Sequence, residues 1–184
     1  YNITIPASVE EIGNNAFCHC DNLYQLTFES GSKLKSMGSN AFANCYNLHN
    51  LTLDSGMETI GDYAFAWCYY LGNVTIPGSV KKIGNDAFYN CYRNMYSVTI
   101  EEGVEEIGEY AFCSCYDSLT TINIPVSVKS FGRYMLASCD ELETINYAGT
   151  IAQWNEIKKD EYWGRTGERF TVYCSDGNIK CSGN

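Results

Sequence analysis

Proline occurs only three times in this 184-residue chain, histidine twice, and lysine plus arginine twelve times against twenty-two acidic residues. The shortage of basic residues leaves a formal net charge of −10, so the mean field of the protein repels a phosphate backbone or an anionic bilayer, and no nucleic-acid partner is expected. No uninterrupted apolar run is present either. The uncharged stretch from Tyr63 to Val80 contains Gly72, Asn73, Pro77 and Gly78, which suits buried coil and not a membrane helix. There is no opening methionine and no signal-like stretch, and Tyr1 already falls within a repeated pattern. The sequence is therefore expected to be a piece of a longer protein, with any targeting segment outside it.

What is abundant recurs in order. The chain has 16 glycines, 15 tyrosines and 10 cysteines. Phenylalanine returns at Phe17, Phe42, Phe65, Phe88 and Phe112, with Leu136 as a degenerate sixth, at intervals of 25, 23, 23, 24 and 24 residues. Cys20, Cys45, Cys68, Cys91, Cys115 and Cys139 follow at one fixed offset, and Gly13, Gly38, Gly61, Gly84, Gly108 and Gly132 keep a phase of their own. Self-similarity at this period is the mark of a solenoid, in which each unit is one coil and length only sets their number, here about six.

Each unit opens on a spaced apolar run such as Leu71-x-x-Val74-x-Ile76 or Leu119-x-x-Ile122-x-Ile124. Its alternation predicts a short strand with one face inward, and stacked coils then make a parallel sheet with one strand per coil. A second apolar pair, Val80 and Ile83 in the fourth unit, makes another inward row. The glycine that follows reads as permissive backbone at a bend, and Ala-Phe-x-x-Cys as a single helical or 3₁₀ turn that plants Phe in the core. Extra residues between Phe28 and Leu34 and after Cys91 and Cys115 belong in rim loops.

Ten cysteines in a short chain raise a disulfide scaffold, but their phase favours a ladder of buried free thiols. Neighbours in register stand about 4.8 Å apart with parallel Cβ vectors, wider than a disulfide prefers. Cys18-His19-Cys20 and Cys113-Ser114-Cys115 lie four coils apart and share no point at which a metal could be held. His19 and His49 fall in different repeats at different phases, so nucleophile, base and orienting group do not converge. Neither catalysis nor a cofactor is expected. The Asn-x-Thr triplets at Asn2, Asn50 and Asn73 recur because the unit recurs.

At Tyr147 the period fails. Thr150 and Gln153 have capping-box spacing, and Ile151, Trp154 and Ile157 share one helical face. Phe170 to Cys174 and Ile179 to Cys181 flank Asp176-Gly177, a hairpin signal. Residues 1–147 thus read as the array and 148–184 as a capping segment of short helix plus hairpin, as an open solenoid needs. Whether Cys174 and Cys181 pair stays open.

The unit at residues 71–91, Leu-x-x-Val-x-Ile-Pro-x-Ser-Val-x-x-Ile-Gly-x-x-Ala-Phe-x-x-Cys, resembles the BspA-type leucine-rich repeat of bacterial surface proteins, over residues 3–147. The tail from Tyr147 through Gln153-Trp154 to Asp176-Gly177 resembles the segment that ends such arrays. Met135-Leu136 departs from the Ala-Phe pair. The resemblance implies a β-rich α/β fold, a right-handed solenoid, an extracellular place on a bacterial cell surface, and adhesion to a protein of a host or neighbouring cell, or to a glycan. The alternative is a spacer with no ligand of its own.

Two rows could carry a partner. Between the inward residues of each strand stands an outward one: Thr4, Thr27, Thr52, Thr75, Thr99, Asn123 and Asn146. Leucine-rich solenoids, by the same resemblance, present this concave sheet to ligands. Glu29, Asp54, Glu101 and Glu102 border it and favour a basic partner. The other row is the margin Tyr46, Tyr69, Tyr92 and Tyr116, directly after the ladder cysteines. Both have a structural reading as well, threonine ladders stabilising strands and tyrosines shielding the coil edge.

Overall fold

The structure is a computed structural model and describes residues 1–167 and 169–182. The chain winds through about seven turns, and two stacks of parallel strands run along it. The first is built from the expected apolar runs. Asn2–Ile5, Gln25–Phe28 and Asn50–Leu51 form one three-stranded sheet, while Val74–Ile76, Ser97–Ile100, Thr121–Ile124, Thr144–Tyr147, Phe170–Cys174 and Gly177–Cys181 form another of six. At the division the coils stay linked at the near edge, where the Gly72 N–H donates to the His49 carbonyl at 2.9 Å.

The second stack is a difference from the one strand per coil that the pattern suggested. Seven two-residue strands, from Glu11–Ile12 through Lys82–Ile83 to Lys158–Lys159, pair in one unbroken sheet. The second apolar row is what forms it: Ile12, Met37, Ile60, Ile83, Ile107 and Phe131 are all buried, and the residue before each points outward. Two alternating residues between bends are enough to make a rung in each coil.

The glycine after this rung does something other than permit a bend. Gly84 has no left-handed φ. Instead a Cβ placed on it would meet the carbonyl carbon and oxygen of Gly61 at 2.5 Å and the amide nitrogen of Asp62 at 2.7 Å. The coils touch backbone to backbone here, and only a residue without a side chain lets them.

The Ala-Phe-x-x-Cys segment is not a helical turn. In the second coil Phe42 and Asn44 donate their amides to Ala64 and Ala66 of the next coil at 2.8 and 2.9 Å, while Ala43 and Cys45 close turns on Asn40 and Phe42. Alternate amides thus serve the stack and the turn. That requires left-handed backbone at two positions per coil, φ 55° at Asn40 and 61° at Asn44. Asparagine tolerates this region, but Tyr63 and Trp67 adopt it too, at 57° and 59°. Each bulky residue held there costs about 1–2 kcal/mol, offset by the inter-coil hydrogen bonds that depend on it.

The segment still delivers Phe to the core. Phe17, Phe42, Phe65, Phe88 and Phe112 stack with centroids 5.0, 5.5, 5.3 and 5.4 Å apart and nearly parallel planes. The ladder cysteines are buried from Cys45 to Cys139, all free, and each thiol faces the carbonyl of a phenylalanine one coil back, as Cys68 does to Phe42 at 3.3 Å. A small apolar side chain with a weak donor fits that place.

After Tyr147 both stacks continue, Lys158–Lys159 on one and Phe170–Cys174 on the other. Between them Ile151–Glu156 forms a helix whose Thr150 cap and Gln153 make the reciprocal capping box. Trp154 meets Phe131, Tyr147 and Trp163, and Trp163 also meets Phe170, so aromatic rings close the core where the phenylalanine stack ends. Lys159 donates to the Ile157 carbonyl and lies over the Trp154 ring at 4.8 Å. In the hairpin Cys174 stands opposite Gly177 and Cys181 opposite Phe170, so the two thiols sit at opposite ends and do not pair.

Candidate interaction surface

Strand pleat and parallel register place the outward row. Thr4 stands beside Thr27, Thr75 beside Thr99, and Asn123 between Thr99 and Asn146. Thr52 lies just past Asn50–Leu51, at the division of the sheet, and is exposed like Thr75; Thr27, Thr99 and Asn123 are half-buried. The side chains join along the row. Thr4 and Thr27 hydroxyls lie 3.0 Å apart, Asn123 Nδ2 donates to Thr99 Oγ1 at 3.1 Å, and Asn146 Nδ2 donates to Asn123 Oδ1 at 2.9 Å. Each such neighbour pair stabilises the sheet by about 0.2–1 kcal/mol. Tyr173 continues the row beyond Asn146 and is exposed, a member that the broken period hid.

The charges divide between the two stacks. From Asn2–Ile5 to Thr144–Tyr147 the first strands contain no lysine or arginine; three of them lead into Glu29, Asp54 and Glu101-Glu102, and the other four into Pro6, Pro77, Pro125 and Ala148. Glu29 and Glu101 accept the amides of Ala7 and Gly78 in the coil before, at 2.9 and 3.2 Å, which fixes them along the edge. On the other stack acid and base alternate, and Lys35–Glu58, Lys82–Glu106, Lys129–Glu105 and Lys158–Asp160 form ion pairs. Those pairs are exposed and add little stability, but they neutralise that side, whereas Glu29, Asp54, Glu101 and Glu102 are in no ion pair among the described residues, although the Lys81 ammonium reaches their edge and donates to the Gly103 carbonyl at 3.2 Å.

The tyrosine margin is only partly assembled. Tyr46 stacks on Tyr69, and Tyr92 is tilted against Tyr69 by 52°, with centroids 5.0 Å apart at each step; burial, then the neighbouring phenols, raises the Tyr69 pKa. Tyr116 is exposed and takes no part in this stack. A second stack beside it was not read from the sequence: Tyr24, His49 and Tyr70 at 4.5 and 5.2 Å, with Arg93 over both Tyr70 and Tyr92. Gly72 follows His49 along the ladder and has no side chain, so Tyr70, two residues out of phase, fills the space. A periodic scan cannot find such a substitution.

His49 is thus held between two rings, and His19 is exposed in another coil. Burial pushes the Cys45 thiol up to about 12 and the Cys113 thiol up to about 11; thiols held protonated in this way are poor nucleophiles and poor metal ligands. Among the described residues no group of three or more His, Cys, Asp or Glu side chains is placed to hold a metal ion. No helix among them is long and apolar enough to cross a membrane.

A sequence profile described as BspA type leucine-rich repeat region matches six copies, over residues 1–117 and 58–160. No curated protein matches the chain significantly. Among solved structures, a leucine-rich repeat protein of T. pallidum is 26% identical with a TM-score of 0.71, covering 79% of this chain and 72% of that one. A leucine-rich repeat protein from Bacteroides ovatus is 23% identical with a TM-score of 0.49, over 86% of this chain and 50% of that one. The pneumococcal vaccine antigen PcpA is 23% identical with a TM-score of 0.40, over 82% of this chain and 51% of its own. The chain spans about half the length of the latter two.

Proposed function

The chain belongs to the BspA-type leucine-rich repeat family, and on that premise we propose that it is a non-enzymatic adhesion module of a bacterial cell surface, holding a protein partner on its first-strand face. The observation that carries this reading is the division of charge: a flat polar row bordered by Glu29, Asp54, Glu101 and Glu102 on one side, and ion pairs that cancel on the other. A face of one sign selects partners with basic patches and speeds their encounter. In this reading residues 148–184 act as the end cap, since their aromatic cluster covers the last coil.

The test is binding to a panel of purified extracellular proteins and glycans, with Thr52→Lys, Thr75→Lys and Thr99→Lys combined. Loss of binding with circular dichroism and melting unchanged is the expected result. Binding that survives this change but falls when Tyr46, Tyr69 and Tyr92 become Ser would move the site to the tyrosine margin. No binding across the panel would favour the spacer.

A further inference from the structure

Near the C-terminal end of the first-strand face the polar row borders a depression of about 350 Å³, floored by Ile100, Ile124 and Pro125 and walled by Glu102, Asn123 and Asn146. Its shape follows from what leaves each strand. Glu101-Glu102 rises on one coil, whereas the next two continue into Pro125 and Ala148, which are small, so a step opens between them.

The backbone on either side of Glu102 is held at that step. Glu101 donates its amide to Ile76 and accepts from Gly78, and the Gly103 amide donates to Ser127 Oγ at 2.9 Å. Gly103 has φ +117°, and a Cβ on Gly78 would lie 1.9 Å from the Glu102 carbonyl oxygen, so this loop is pressed onto the coil before it. Among the described residues the Glu102 carboxylate takes no hydrogen bond or ion pair. Burial raises the Tyr147 pKa, with the charges of Cys174, Glu102 and Glu156 adding to it.

The amides beside it run in one direction. Asn146 donates to Asn123 and Asn123 to Thr99, so at the end of the chain the Asn146 side-chain oxygen is left without a donor among the described residues. Two exposed acceptors with no protein donor among the described residues, one of them charged, beside an apolar floor suit a long side chain with an aliphatic stem and a cationic head.

Resting on the reading of this face as protein-binding, we propose that the depression is a socket for one basic side chain of the partner, arginine in preference to lysine, its guanidinium shared between Glu102 and the Asn146 oxygen. A planar fork with five donors can serve a carboxylate and an amide oxygen together, which an ammonium does less well.

The probes are Nα-acetyl-arginine amide, the corresponding lysine amide, and citrulline amide as the neutral analogue, titrated while the side-chain amide resonances of Asn123 and Asn146 are followed by NMR. Arginine amide should move both resonances, lysine amide should bind more weakly, and citrulline amide should leave them in place. Glu102→Gln should weaken arginine amide by about tenfold or more, the loss of one charge-assisted contact, while Glu58→Gln on the other stack should change nothing. Equal shifts with citrulline amide, or unchanged binding by Glu102→Gln, would overturn the socket. The two readings fail separately: loss of the panel partner in the triple lysine variant with no arginine shift removes the socket alone, and an arginine shift with partner binding indifferent to that variant removes the face alone.

Discussion

Replacing Gly84 by Ala tests the packing of coil on coil at its tightest point. The new Cβ would sit 2.5 Å from the Gly61 carbonyl carbon and oxygen and 2.7 Å from the Asp62 amide nitrogen, against 3.4–4 Å for ordinary contact. All three atoms are backbone, so no side chain can swing away and the coils must separate by roughly 1 Å to restore ordinary packing. That strains the Gly84 to Ile60 bond at 3.1 Å and the Phe65 to Ala87 and Tyr63 to Asn85 bonds at 2.8 Å. Overpacking of this kind costs about 1–3 kcal/mol, and weakened hydrogen bonds add about 0.5–1.5 kcal/mol each if fully lost. The stiffer unfolded chain returns about 0.4–1 kcal/mol. The net loss is about 2–4 kcal/mol, or roughly 5–15 °C in melting temperature for a chain of this size. Gly13 is the control, since it holds the same phase in the first coil but has nothing within 4 Å of the position a Cβ would take. Gly13→Ala should be neutral or slightly stabilising by calorimetry and urea denaturation. A Gly84→Ala protein that melts within about 2 °C of the parent, or an equal loss from Gly13→Ala, would refute the reasoning.

Phe65, fully buried between Phe42 and Phe88, should cost about 3–5 kcal/mol when cut to Ala, and a loss below about 1 kcal/mol by chemical denaturation would contradict the stack. Cys45, Cys68 and Cys91 should be alkylated without reductant only after unfolding, with mass spectrometry counting the labels, and labels absent from the unfolded chain would mean disulfides. The same thiols make stability fall at high pH. Burial raises their folded pKa, to about 12 at Cys45 and upward at Cys68 and Cys91, so above the unfolded value near about 8.5 the unfolded chain holds fewer protons and unfolding is favoured. Their contribution is intact below that pH and is lost as pH climbs toward the folded values. A Cys68→Ala, Cys91→Ala protein should show a shallower decline of melting temperature between about pH 9 and 11, and an unchanged slope would argue against the ladder as its source.

Much of the fold was legible because one coil repeats. The interval between Phe42 and Phe65, with Cys45 and Cys68 in step, implies stacked coils before any geometry is known, and the apolar run at Val74–Ile76 implies its strand. What stayed hidden depends on contact between coils. Glycine at Gly84 looks like a bend in the sequence, and only the neighbouring backbone reveals it as a point of contact. Tyr63 and Trp67 have no propensity for left-handed backbone, so the turn that holds them reads as a helix until the inter-coil hydrogen bonds are seen. The surface was legible as a row, since Thr75, Thr99 and Asn123 follow from the pleat. Its charge contrast was not, because Lys82 and Glu106 become neighbours only through the second stack.

The most direct test compares two variants of equal charge. One carries Glu29→Gln, Glu101→Gln and Glu102→Gln on the first-strand edge; the other carries Glu58→Gln, Glu105→Gln and Glu106→Gln on the ion-paired stack. Each removes three negative charges, and Gln keeps the acceptor oxygen that Glu29 and Glu101 offer to Ala7 and Gly78. Affinity for the tightest protein of the extracellular panel, measured across a range of salt concentrations, is the readout. An acidic first-strand face that holds the partner predicts that the first variant loses affinity and most of its salt dependence while the second binds like the parent. Equal losses in both, or a loss confined to the second, would contradict it.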